Sequence, residues 1–283
     1  MNERGLAAFL ILIRREMWES KNLFIAAPLV LAILTLVVLL WTSLQLPADT
    51  MTDVLGQLAA ATNGLGATTV APFLMAIAIP FMIVLYICTL IYLINSLYQD
   101  RKDSSILFWQ SMPVSNFSTV MSKIVTVCFI APLFVVAAIG VLLAVLIILL
   151  LILSANYDVQ VMAFSQMIVA ALYCLLLVYL TAVLAGLWLF PTAGWFLLFS
   201  AFSKNLPFLW AIGVFILLLF VEDIIFGTQF LGNWLDSRTN NYNYIIIEAS
   251  DFVQRLFTYD MLFGIALGSL LILGAVYMRR YAD

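Results

Sequence analysis

The side chains able to do chemistry in this chain crowd into one stretch, SLYQDRKDSSILFWQSMPVSNFSTVMSKI, residues 96–124, set between two long apolar runs. Asp100, Arg101, Lys102 and Asp103 come first, then Ser104 and Ser105, then Ile106, Leu107, Phe108 and Trp109, and finally Ser111, Pro113 and Ser115. Asp103 and Ser104 are good N-caps for a short helix that Met112-Pro113 must end, and Ser115 suits the N-cap of the helix that follows. The chemistry this supports is recognition rather than catalysis. Apolar side chains on a short, polar-flanked helix are costly in water unless they meet lipid or another protein. The residues alone leave both readings open: Phe108 and Trp109 anchor the loop in lipid headgroups, or they dock a partner.

Catalytic chemistry lacks its residues. There is no histidine in the chain, which removes His-based triads, HExxH zinc sites and imidazole proton relays. Lys21, Lys102, Lys123 and Lys204 all lack the preceding glycine of a phosphate-cradling loop, so the chain is expected not to hydrolyse nucleotides, not to be an enzyme, and to hold no cofactor of its own. Cys88, Cys128 and Cys174 fall in different apolar runs without CxxC spacing, and the eleven methionines are scattered. Both read as packing residues and not as metal ligands. A proton- or sodium-coupled carrier keeps ionisable groups near the bilayer midplane, and none is found there. Glu222 and Asp223, near the outer end of an apolar run, are either a candidate outer gate or carboxylates that cap the following turn.

The elements that must position these residues are membrane helices. Of 283 residues, 65% are hydrophobic and 10% charged, against about 25% charged in soluble domains. A bilayer core about 30 Å thick demands roughly 20 apolar residues per helix, and six runs qualify: 23–41, 70–98, 124–153, 162–190, 206–226 and 261–278. The expected fold is an all-α polytopic membrane protein forming one domain over 1–283. Before the first span, over 1–22, Leu6, Phe9, Leu10, Ile13 and Met17 recur at helical spacing with Arg15 and Glu19 opposite, which predicts an amphipathic helix on the inner membrane surface.

With the N-terminus inside and six spans, Arg4, Arg14, Arg15, Lys21, Arg101, Lys102, Lys123, Lys204, Arg279 and Arg280 all fall inside, leaving only Arg238 and Arg255 outside. That positive-inside bias predicts cytoplasmic termini and a cytoplasmic segment at 99–123. Residues 162–203 are apolar for longer than one span needs. A seventh span would put Lys204, Arg279 and Arg280 outside, so one span followed by a Pro191-broken interfacial piece is expected. Residues 45–69 read as a small-residue outer loop, and 227–260 as short re-entrant or interfacial helices with Trp234, Tyr242 and Tyr244 at headgroup depth. No nucleic-acid partner is expected.

LYQDRKDSSILFWQSMPVSNFSTVMSK resembles the signature segment of the membrane subunits of type-2 ATP-binding cassette transporters, on Asp100, Arg101, Asp103, Ser105, Trp109, Ser111, Pro113, Ser115, Ser122 and Lys123. PTAGWFLLFSAFSKNLPFLWA, residues 191–211, resembles the region before that family's fifth span, and MRRYAD resembles its arginine-rich ending. The resemblance implies a six-span permease subunit in a bacterial cytoplasmic membrane, paired with a second copy of itself. A separate cytoplasmic ATP-binding subunit, carrying the ATP and Mg, would power it. It also implies roles. Residues from Ser104 to Ser111 would be the coupling helix, with Ile106, Phe108 and Trp109 as an apolar head and Asp100, Arg101, Lys102 and Asp103 as polar flanks. Ser203 and Lys204 would supply a second cytoplasmic contact, and the N-terminal helix would be the connecting elbow. The alternative expectation is a membrane anchor or assembly scaffold that recruits a cytoplasmic partner without a transport path.

Overall fold

The computed structural model describes residues 3–102, 115–240 and 245–279. Every regular element among them is helical. Helix α1 (Glu3–Glu19) leads through a π turn (Asn22–Ala26) into α2 (Ala27–Gln45). Then come α3 (Ala48–Thr62), α4 (Ala67–Leu74), a 3-10 turn (Met75–Ala78) and α5 (Ile79–Lys102). Beyond residues 103–114, α6 (Asn116–Val125) continues through a π turn (Thr126–Ile130) into α7 (Ala131–Asn156). The rest is α8 (Phe164–Trp188), α9 (Phe190–Phe202), α10 (Pro207–Val221) with its π turn (Glu222–Phe226), α11 (Phe230–Asn240), α12 (Asp251–Leu256) and α13 (Tyr259–Met278).

Six of these helical stretches are long and apolar enough to cross a membrane: Asn22–Gln45, Ala67–Lys102, Asn116–Asn156, Phe164–Trp188, Pro207–Phe226 and Tyr259–Met278. They coincide with the six apolar runs of the sequence. Pro207 opens the fifth stretch and Pro191 opens α9, each in a first helical turn where the missing N–H has no intrahelical partner to lose, whereas Pro28 and Pro132 stand inside continuous helical stretches just after the π turns. Ser115 caps α6 as its sequence position requires, its Oγ accepting from Ser118 N at 3.1 Å.

The bundle is built around α8. Over its most apolar window 56% of residues are buried, against 6% for Pro207–Phe226, so α8 is the axis and α10 an outlying, apolar-surfaced strut. Cys128 of the π turn below α7 packs at Gly186 of α8, and Cys88, Cys128 and Cys174 are free and buried. Helix α9 departs from expectation. It breaks from α8 at Leu189–Pro191 and, rather than lying apart from the bundle, packs between α5 and α13, with Pro191, Leu197 and Ser200 buried. Two glycines permit this. A Cβ on Gly194 would lie 2.7 Å from the Gly268 carbonyl oxygen, and one on Gly268 would lie 2.6 Å from the Phe190 carbonyl oxygen. Backbone meets backbone there, the close approach that small residues allow between membrane helices.

Residues 48–62, read from sequence as loop, form α3, whose Met51 and Leu55 are buried one helical turn apart. The 227–260 region does fold into short helices, but Arg238 within it is not a free surface charge. Its guanidinium is buried and sandwiched 4.2 Å from the Trp188 ring and 5.2 Å from the Trp234 ring. It donates to the carbonyl oxygens of Trp188 and of Asp260, the latter at 2.9 Å, while Trp188 Nε1 donates to the Arg238 carbonyl at 3.1 Å. Burial lowers the Arg238 pKa from its usual value, against the opposing pull of Asp260. Tyr242 and Tyr244 lie outside the described residues.

The α9–α13 crossing yields a sharp prediction. Gly268→Ala is expected to destabilise the protein by ~1–3 kcal/mol, the usual cost of overpacking, because its new methyl meets backbone. Gly213→Ala, with nothing within 4 Å of the added carbon, should leave the thermal midpoint in detergent unchanged. Equal midpoints for the two variants would contradict the crossing.

Candidate functional site

Of the charged residues on either side of residues 103–114, Asp100 and Lys123 do not stand out in solvent. They join a buried ionic cluster where four elements meet: α1, the end of α5, the base of the third span at α6, and the end of α13. Sequence order explains little of this, since Glu16 and Lys123 are far apart along the chain. Glu16 and Lys123 are each 1% exposed, Arg279 3% and Asp100 6%.

Lys123 is the centre. Its Nζ lies 3.0 Å from both Glu16 carboxylate oxygens and 3.6 Å from Asp100 Oδ2. Tyr92 OH donates to Glu16 Oε2 at 2.5 Å. Arg15 donates to Asp100 Oδ1 at 3.2 Å and to Glu19 Oε1 at 2.6 Å, and Arg279 Nη1 lies 3.6 Å from Asp100 Oδ2. Three cations thus face three carboxylates, with only Glu19 reaching outward at 53% exposure. Buried charge is tolerated when it is paired: Glu16 and Lys123 meet at hydrogen-bond distance, while Asp100 Oδ2 faces Lys123 and Arg279 as ion pairs at 3.6 Å, longer than a hydrogen bond. Burial lowers the Arg15 pKa, but the hydrogen bond to Glu19 and the charges of Glu16 and Asp100 outweigh it and raise the guanidinium above its usual value. At Arg279 burial prevails over Asp100 and lowers it.

A second tie runs beside the first. Arg101 Nη2 donates to the carbonyl oxygens of Ser200 at 2.9 Å and Ser203 at 2.6 Å, and the Ser200 hydroxyl accepts from the backbone N–H groups of Leu97 and Tyr98, both at 3.0 Å. The end of α5 is therefore fastened to the α9–α10 corner. Lys102 and Lys204 are both exposed at this end of the bundle.

Several sequence expectations change. Asp100 and Arg101, expected as polar flanks of a docking head, turn into the bundle and hold helices together, because carboxylate and guanidinium find fixed partners there. Ser203, expected as a cytoplasmic contact, is buried, its hydroxyl donating to the Phe199 carbonyl at 2.8 Å. Lys204 of the same pair is exposed. Glu222 takes the role of a cap. Its carboxylate accepts from the N–H groups of Phe230 at 2.5 Å and Leu231 at 3.0 Å, satisfying the N-terminus of α11. Asp223 is exposed and accepts from Gln229 Nε2 at 3.4 Å. Asp103, Ser104, Ile106, Phe108, Trp109, Ser111 and Pro113 lie outside the described residues. Both described chain ends, α1 and Arg279, meet at this one end of the bundle.

The sequence reading missed Glu16 and Tyr92, and gave Lys123 a place among the inside charges and in the transporter-like segment but not in a buried ion pair. The available signal was register: Phe9, Leu12, Ile13, Glu16 and Ser20 share the protein-facing side of α1, while Leu6, Leu10, Ile11 and Trp18 are exposed. The stripe that looked membrane-facing at Ile13 is in fact continuous with the carboxylate.

Removing one partner of a buried pair strands the other, at ~3–5 kcal/mol. Lys123→Ala is accordingly expected to lower the thermal midpoint strongly, Lys204→Ala scarcely at all. Glu16→Gln combined with Lys123→Met should be less damaging than the sum of the single changes, a coupling that a double-mutant cycle reads directly. Additive effects would show that the two charges do not support each other.

Compared with protein-family models, curated proteins and solved structures, the chain matches none of them.

Proposed function

We propose that the chain is the permease subunit of an ATP-driven exporter, working as a dimer in a bacterial cytoplasmic membrane and powered by a separate ATP-binding subunit that docks on residues 103–113. Energy would come from ATP and Mg bound by that partner. The polypeptide supplies the helices that move.

The observation that carries the reading is mechanical. The segment is slung between the two longest helical stretches, Ala67–Lys102 of 36 residues and Asn116–Asn156 of 41 residues. At 1.5 Å per residue these reach about 54 and 61 Å, well beyond a hydrocarbon core of about 30 Å. Their ends are clamped to each other and to α1 and α13 by the Glu16–Lys123–Asp100–Arg279 cluster. A push on the segment is thereby delivered to four elements at once, which is what a lever between a motor and a bundle requires. An anchor that merely recruits a partner has no use for that stiffness. The resemblance of residues 97–123 to the type-2 transporter signature supplies the identity of the motor, and the positive-inside bias supplies its side of the membrane.

The test is reconstitution with the co-purifying ATPase. The chain alone is expected to hydrolyse no ATP, and the complex to show ATP-dependent flux in vesicles. Trp109→Ala should weaken association or uncouple hydrolysis from flux while leaving the thermal midpoint of the subunit unchanged. Unaltered flux and partner-stimulated hydrolysis in that variant would overturn the docking role, and absence of any co-purifying ATPase would favour the scaffold.

A further inference from the structure

At the end of the bundle opposite the ionic cluster lies a cavity of about 420 Å³, within the size range of small-ligand sites. It is enclosed by the end of α3, by α4, by the far half of α7 and by the beginning of α8. Leu143 and Leu150 of its wall stand about 30 to 40 Å along the third span from Lys123 at 1.5 Å per residue, so a membrane thickness separates the two features.

The lining is hydrocarbon. Leu58, Val70, Leu146, Leu150 and Ala171 are typical of it, and Thr62 is the one polar side chain. That hydroxyl is already committed, to the carbonyl oxygens of Leu58 and Val161, both at 2.8 Å. A lining with one hydroxyl, its proton already donated, offers water few partners and suits an apolar occupant. Leu58 and Phe73 are both wall residues and exposed, which marks the side on which the cavity opens. The third and fourth spans that form much of the wall are among the six helices long and apolar enough to cross a membrane, so the apolar molecule that suits the opening is a lipid.

We propose that this cavity is a binding site for one acyl chain of a membrane phospholipid. The charge pattern defines what the site reads. No Lys or Arg occurs between Lys21 and Arg101, or between Lys123 and Lys204, so none of the lining elements carries a cation for an anionic headgroup. The site selects the chain and ignores the head. It stands independently of the transport reading.

The experiment uses the full chain in vesicles containing a phosphatidylcholine or a phosphatidylglycerol with a photoreactive diazirine near the end of one acyl chain, with labelled peptides mapped by mass spectrometry. Expected is at least tenfold denser labelling of 143–150 and 167–171 than of the exposed α10 surface around Phe208–Phe220, within twofold for the two headgroups. Ala171→Trp and Leu146→Trp, filling the cavity from opposite walls, should abolish the enrichment while leaving α10 labelling unchanged. Labelling of the lining no denser than α10, enrichment that survives both fillings, or labelling by a photoreactive free fatty acid but by neither phospholipid would each overturn the proposal. So would a crosslink from these residues to a second copy of the chain. The wild-type map is decisive even if a filled variant fails to fold.

Discussion

The structure depends on burying Lys123. An ammonium group taken out of water at the base of a membrane helix is tolerable only if carboxylates are held around it, and that requirement explains why α1, α5 and α6 converge. Glu16 supplies two oxygens, Asp100 a third, and Tyr92 orients Glu16 from the side. Arg15 and Arg279 then enter because Asp100 faces more than one cation. Each element that contributes a charge also loses the freedom to move alone. Hydrophobic contact cannot impose this, since between membrane helices lipid competes on equal terms with apolar side chains.

The opposite constraint operates elsewhere in the bundle. Where α9 crosses α13 there is no polar glue, and contact is achieved by the absence of side chains at Gly194 and Gly268. Where α11 lies on the bundle, Arg238 donates to the carbonyl oxygens of Trp188, at the end of α8, and of Asp260, in the first turn of α13, and the two indoles accept its positive face. These are three distinct solutions to packing helices when the hydrophobic effect is weak: paired charge, bare backbone, and a cation spread over carbonyls and rings.

What was legible in the sequence was whatever is local. The six spans follow from apolar run length, the Ser115 cap from its side chain and the turn after it, and the break at Pro191 from a missing N–H. The interior position of α9 was hidden, because an apolar helix of 13 residues reads alike whether its neighbours are lipid tails or α13. Helix α3 was hidden because its two buried anchors, Met51 and Leu55, are diluted among small and polar residues. The ionic cluster was hidden for a deeper reason. Lys123, Arg15 and Arg279 sit where the positive-inside rule already expects basic residues, so a topological account absorbed charges that also have a structural one. The rule and the cluster use the same atoms. Only the acids were anomalous: Glu16 lies on the face of α1 that carries Leu12 and Ile13, and such a carboxylate implies a buried cation somewhere else in the chain.

Two irregularities lie immediately beyond the cluster. The π turns at Asn22–Ala26 and Thr126–Ile130 each begin within a few residues of the ionic side chains, at Glu19 in one case and at Lys123 in the other, and each is followed after a single alanine by a proline, Pro28 or Pro132. Bends in long helices concentrate at π turns and prolines, where the regular hydrogen-bond ladder is already interrupted. Below these turns the first and third spans are cross-linked by charge; above them α2 and α7 pack on each other through apolar side chains. A displacement of the charged base is therefore absorbed first at the two turns, which lie in neighbouring helices just above the same cluster. The stiff base and the interrupted ladders are one arrangement: ion pairs make the base move as a unit, and the π turns determine where the spans above it bend.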